Sequence, residues 1–160
     1  VSALFFLNHV REDIIMVIHY KLNQLKDHGD TLGYYRFEVN LHLEPRPNYG
    51  SEVRFAVEYR ATESDSTEYQ YFSREKFEDT DLAFEETREF VLNMPTLNEH
   101  RRQDAVRRSE AYEQRLLEDA AHEDDPILKQ HLLDKAAREA SDRKQLLGLF
   151  YKQGYHITAQ

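Results

Sequence analysis

His9, Glu12 and Asp13 stand three and four residues apart, the spacing at which side chains of one helix meet and at which a metal ion can be gripped. A closed zinc site needs a fuller ligand set. No His-Glu-x-x-His pattern and no obvious further ligand stands nearby in sequence, so the group is read as surface and no metal is expected. The remaining histidines, His19, His28, His42, His100, His122, His131 and His156, are scattered and are read as surface residues or helix-end partners. Carboxylate–histidine hydrolysis would require His9 or His42 to meet acidic residues in a polar cleft. An unrecognised hydrolase of that kind is one functional alternative.

Those acidic residues would come from Glu75 to Glu89. Glu78, Asp79, Asp81, Glu85, Glu86 and Glu89 crowd the start of an expected helix, where the helix dipole favours negative charge. Paired carboxylates share acid and base roles or hold a hard cation only when they converge, and this spacing does not demand convergence. The plain reading is a solvated helix start. The sharper one is a phosphate-like surface that fills the nucleic-acid groove of another protein, as in an anti-restriction or anti-CRISPR inhibitor encoded by a phage.

Arg101, Arg102, Arg107 and Arg108 form the one basic concentration and are the candidate anion contacts, with Arg115 beyond them. Asp104, Glu110 and Glu113 lie within pairing reach and cancel much of that field. No Gly-x-Ser-x-Gly elbow, Gly-x-x-x-x-Gly-Lys-Ser/Thr loop or Gly-x-Gly-x-x-Gly fingerprint occurs. With 5 glycines in all, a phosphate-cradling backbone loop is hard to build. No cofactor is expected, and the chain is not expected to be an enzyme.

The 160 residues suffice for one core, or for a small core with an appended arm. Hydrophobic residues make up 40% and charged residues 32%, too apolar for a disordered chain yet charged enough for long solvated helices. The net charge of −9 is uneven: residues 1–95 carry 10 Lys/Arg against 18 Asp/Glu (−8), and residues 96–160 carry 11 against 12 (−1). Nucleic-acid binders concentrate positive charge, so direct binding through the first part is disfavoured. Absence of cysteine excludes disulfides and thiol chemistry and fits a cytoplasmic protein. The apolar run Ala3–Leu7 is too short to span a membrane and lacks the features of a signal peptide.

The pattern changes at Pro95. Over residues 3–26, Leu4, Leu7, Val10, Ile14, Val17, Ile18, Leu22 and Leu25 recur at helical steps, and Phe5, Phe6, Ile15 and Met16 widen the apolar surface. Gly29 is the expected left-handed terminator of this helix. Strict alternation then predicts strands over 35–44, 53–60 and 67–72, with a loop at 45–50. Asp79 or Asp81 begins a helix that Pro95 stops. Thr96 and Glu99 match a capping box ahead of a helix over 97–121, and Asp125-Pro126 starts another over about 126–152, ended near Gly154. The short break at 122–126 predicts an antiparallel hairpin, and Tyr155–Thr158 reads as a tail.

In its helix, three strands, helix order, the stretch 3–94 resembles a double-stranded-RNA-binding domain. Its second helix is acidic where that family's is basic, and Pro45–Gly50 is not that family's loop, so RNA binding is not carried over. The order and acidity are also similar to class I secretion chaperones, whose later strands have no counterpart after Pro95.

The expected fold is α+β: a core over 1–95 with a three-stranded antiparallel meander between two helices, then a charged helical hairpin over 96–160, packed as one unit. The expected function is protein–protein interaction, of adaptor or inhibitor type, acting as a homo-oligomer. Leu4, Phe5, Phe6, Ile15, Leu132, Leu147 and Phe150 are the expected apolar contacts.

Overall fold

A computed structural model describes residues 2–48 and 50–155, with side chains over 8–44 and 50–155. The chain is α+β and forms two compact units, Val1–Leu97 and Asn98–Gln160.

The first unit contains helix α1 (Ser2–Asp30), strands β1 (Arg36–Asn48), β2 (Ser51–Arg60) and β3 (Glu68–Arg74), a single 3-10 turn (Phe77–Asp79) and helix α2 (Thr80–Asn93). The strands pair antiparallel in the order β1-β2-β3. Register follows the apolar alternation: Leu41 faces Phe55, which faces Phe72, and Val39 faces Val57. One sheet face is thereby apolar, and both helices supply the side chains that cover it. Ile18, Leu22 and Leu25 come from α1, and Ala83, Phe84 and Val91 come from α2. Phe55 meets Phe84 edge-on at 5.9 Å between ring centroids, and Phe72 meets Phe90 at 5.6 Å. Each large side chain buried in this way contributes about 1.5–3 kcal/mol. The other face carries like charges on adjacent rungs, Arg36 opposite Arg60 and Glu38 opposite Glu58.

Two local expectations are corrected. Gly29 lies inside α1, and the left-handed glycine is Gly33, with φ of 90°. A Cβ on Gly29 would stand 2.0 Å from the Phe37 ring, so this glycine answers a close approach rather than a chain reversal. The strand also runs on through Pro45 and Pro47 to Asn48, with a register shift after Leu43. β1 is an edge strand, where a missing amide donor is tolerated.

After α2, the Leu97 amide donates to the Leu32 carbonyl at 2.8 Å, and the Tyr34 hydroxyl donates to the Pro95 carbonyl at 3.1 Å. These bonds pin the exit of α2 to the α1–β1 connection.

The second unit is a pair of helices, α3 (Leu97–His122, whose first residue still belongs to the first unit) and α4 (Pro126–Lys152). Asp125 caps α4 by accepting from the Ile127 amide at 2.8 Å and the Leu128 amide at 3.4 Å, with Pro126 in the first turn. At the far end, Gly154 (φ 86°) donates to Tyr151 and Tyr155 donates to Phe150, the double bond of a Schellman motif. Arg143 of α4 bonds Ser109 and Glu113 of α3, and Arg102 of α3 lies 3.4 Å from the Tyr155 ring centroid. These cross-links run in opposite senses along the two helices, as an antiparallel hairpin requires. The buried seam is thin: Val106, Leu116 and Ala120 on α3, and Ala136 on α4.

Candidate docking groove on the first helix

The α1 sequence is apolar on more than one stripe, and the fold uses only one of them for the core. Ile18, Leu22 and Leu25, spaced by four and three residues, are buried, and Ile15 packs partly against the same cluster. Val10, Ile14 and Val17 repeat the same four-and-three spacing on the adjoining face and remain 38%, 37% and 54% exposed. Met16 and Tyr20 extend this open surface.

The open stripe faces the 3-10 turn and the first turn of α2. Val10, Arg11 and Ile14 border a hollow of about 180 Å³ closed by Phe77, Glu78, Thr80 and Asp81. A second hollow of about 330 Å³ continues along α1 past Val17 to Lys21. Ile14 and Asp81 line both, so the two form one groove.

A small network fixes one end. Glu52, at the start of β2, accepts from the Arg11 guanidinium at 3.4 Å and from the Phe77 amide at 3.4 Å. Arg11 also stacks 4.6 Å from the Phe77 ring centroid and lies 3.9 Å from Glu78. Thr80 donates its hydroxyl to the Phe77 carbonyl, holding the 3-10 turn against α2. At the other end the Lys21 ammonium sits 5.5 Å from the Phe84 ring centroid. Of the two cations of the groove, Arg11 is held by carboxylates and a ring, and Lys21 is exposed beside a ring. Asp13 and Asp81 are exposed and form no ion pair among the described residues.

The acidic residues singled out from the sequence divide. Glu78 and Asp81 line the groove. Glu85 pairs with Arg88 at 3.5 Å, and Glu86 pairs with Arg74, where the hydrogen bond raises the arginine pKa against the opposing effect of burial. Asp79 is half-buried, and Glu89 is exposed on the solvent side of α2. Asp81, Glu85 and Glu89 follow one another at four-residue steps and share a face.

Of the apolar candidates, Leu4, Phe5 and Phe6 lie in α1, but their side chains fall outside the described residues. Ile15 turns toward the core, and Leu132, Leu147 and Phe150 are half-buried in the second unit. Val10, Ile14 and Val17 sit in the groove instead, because a helix face is assigned by which stripe meets the sheet. In the sequence both stripes look alike. The signal available beforehand was only their excess width.

Among the basic candidates, Arg102 is held over the Tyr155 and Phe150 rings. Arg107 pairs with Asp104, Arg108 donates to the Asp104 carbonyl, and Arg101 is exposed. His9 pairs with Glu12 at 3.8 Å, both well exposed. His42 lies on the sheet face opposite to the one that α2 covers, away from the acidic segment. Among the described residues no group of three or more His, Asp or Glu lies close enough to hold a metal ion. Nor is any described helix long and apolar enough to cross a membrane.

No family model, curated protein or solved structure matches the chain.

Proposed function

We propose that the chain is a protein-interaction module of adaptor or inhibitor type, and that its partner docks on the α1 groove. The observation behind this reading is the second apolar stripe. Val10, Ile14 and Val17 stay open to water beside a shaped hollow, and desolvating them against a partner would release free energy that folding leaves unused. Their β-branched side chains have few rotamers to lose, which lowers the ordering cost of docking. A cysteine-free chain suits a reducing compartment such as the cytoplasm.

The test is Val17→Asp, at an exposed position where the fold tolerates a charge within about 0.5 kcal/mol. The partner is recovered from the native host, identified by mass spectrometry and purified, and its affinity for both forms is measured. A loss of at least about tenfold with unchanged circular dichroism is expected. Undiminished binding would place the partner elsewhere.

A second reading, an acidic inhibitor that mimics nucleic acid, draws support from the shared face of Asp81, Glu85 and Glu89. Reversing those three charges should then abolish binding to a nucleic-acid-binding target, and raising salt should weaken it steeply. Insensitivity to both would end that reading.

A further inference from the structure

We infer that the α1 groove takes an amphipathic helix whose apolar anchors are flanked by Lys or Arg, an inference that rests on the docking reading above. Three features of the groove converge on this ligand.

The first is shape. Val10, Ile14 and Val17 span two turns of α1, a rise of about 10 Å. A partner helix laid along such a strip offers two or three side chains at steps of three or four residues, the pattern by which helices seat in grooves. The two joined hollows on either side of Ile14 receive adjacent anchors of that kind.

The second is charge. Arg11 is held by Glu52, Glu78 and the Phe77 ring, and Lys21 by the Phe84 ring. Arg11 is thus drawn to two carboxylates, and Lys21 stands exposed at the far end of the second hollow, so the lining carries Asp13, Glu78 and Asp81 against these two cations. Asp13 on one wall and Asp81 on the other have no ion-pair partner among the described residues, and they flank Ile14. An acidic helix would meet two carboxylates that have no ion pair and a lining with more acids than bases, whereas a basic one would pair with both.

The third is the wider field. Residues 1–95 carry 10 Lys/Arg and 18 Asp/Glu, so the surroundings attract cations over the approach as well as at contact.

The experiment uses the full chain and two synthetic helical peptides of roughly five turns. They share one leucine stripe and differ only in bearing Lys or Glu at the flanking positions. Affinity is read by fluorescence anisotropy at physiological salt, and the contact surface by amide chemical-shift changes. The Lys peptide is expected to bind about tenfold or more tighter than the Glu peptide. Its shifts should centre on Val10, Ile14, Val17 and Asp81. The double variant Asp13→Asn, Asp81→Asn should lose most of that preference. Neutralising Glu63 and Asp65, on the exposed β2–β3 turn, should leave it intact.

Equal affinities, or tighter binding of the Glu peptide within the groove, would overturn the basic-ligand inference while leaving the docking reading standing. Lys-peptide shifts spread over other acidic surfaces would likewise overturn it. If neither peptide perturbs the groove and the natural partner binds Val17→Asp normally, both readings fail. A dimer in sedimentation that Val17→Asp dissociates would replace the basic helix by a second copy of this chain.

Discussion

Gly29 in α1 faces the ring of Phe37 so closely that no side chain can stand between them: a Cβ there would lie 2.0, 2.1 and 2.6 Å from three ring carbons. The ring is buried in the core, so it has no free path aside. Gly29→Ala should therefore destabilise the first unit by about 1–3 kcal/mol, the cost of forced overpacking. The better helix propensity of alanine offsets at most about 1 kcal/mol of the clash. Urea unfolding followed by circular dichroism would measure it. Adding Phe37→Leu to the Gly29→Ala chain should recover part of the loss, because contacting sites do not add.

Asp125 satisfies two amides at the start of α4. Asp125→Ala should cost about 1 kcal/mol, and Asp125→Ser much less. Amide exchange at Ile127 and Leu128 should accelerate in the alanine variant, while exchange in the middle of α4 changes little.

Arg143 and Glu113 form an ion pair with only 15% and 24% of their side-chain surfaces exposed. Glu113→Ala leaves the guanidinium with Ser109 as its remaining side-chain partner, at 3.3 Å. A loss of about 1–3 kcal/mol is expected, between the values for exposed and fully buried pairs. Exchanging the two charges should restore part of it, as read in a double-mutant cycle by thermal unfolding.

Burial raises the pKa of the Tyr59 hydroxyl above its ordinary value of 10.0, and the nearby Glu68 carboxylate pushes in the same direction. The folded chain thus holds this proton more tightly than the unfolded one. The resulting stability is fully present below pH 10 and is lost as pH rises through the folded value. Unfolding measured from pH 9 upward should show that decline, and Tyr59→Phe should flatten it. Glu68→Gln should reduce its extent.

The elements were readable because each has one dominant period. Phe37 to Leu43 and Val53 to Tyr59 alternate without interruption, and their partners face each other as the alternation requires. Asp125-Pro126 marks a helix start by local chemistry alone, and α4 begins there. Where the outcome depends on packing between distant segments, local signals fail. Gly29 carries the composition of a helix end, yet its neighbour across the fold is Phe37. Pro45 and Pro47 read as a loop, yet an edge strand accommodates them.

The same limit applies to the groove. Ile15 and Ile14 are chemically identical neighbours, and only the angle at which α1 meets the sheet sends one inward and leaves the other on the rim. Asp81 was visible as part of an acidic run. Its place beside Ile14 follows from the 3-10 turn that Thr80 and Glu52 hold, and no spacing in the chain announces that.

The paired rungs of like charge on the solvent side of the meander have a bearing on how its alignment is chosen. Sliding β1 by two positions against β2 would set Arg36 across from Glu58 and exchange repulsion for attraction on that one rung, a gain of about 0.2–1 kcal/mol, while Glu38 would come to face Ala56. The same slide would set Leu41 across from Val53 and Val39 across from Phe55, keeping the apolar side inward but undoing its fit against α1 and α2, and a misfitted core of that kind costs about 1–3 kcal/mol. Alignment is thus dictated from beneath, by the greasy side, against the vote of the ions above it. Unlike-charge substitutions on those rungs would tempt the ribbon no further out of step; they would only remove its one internal dissent.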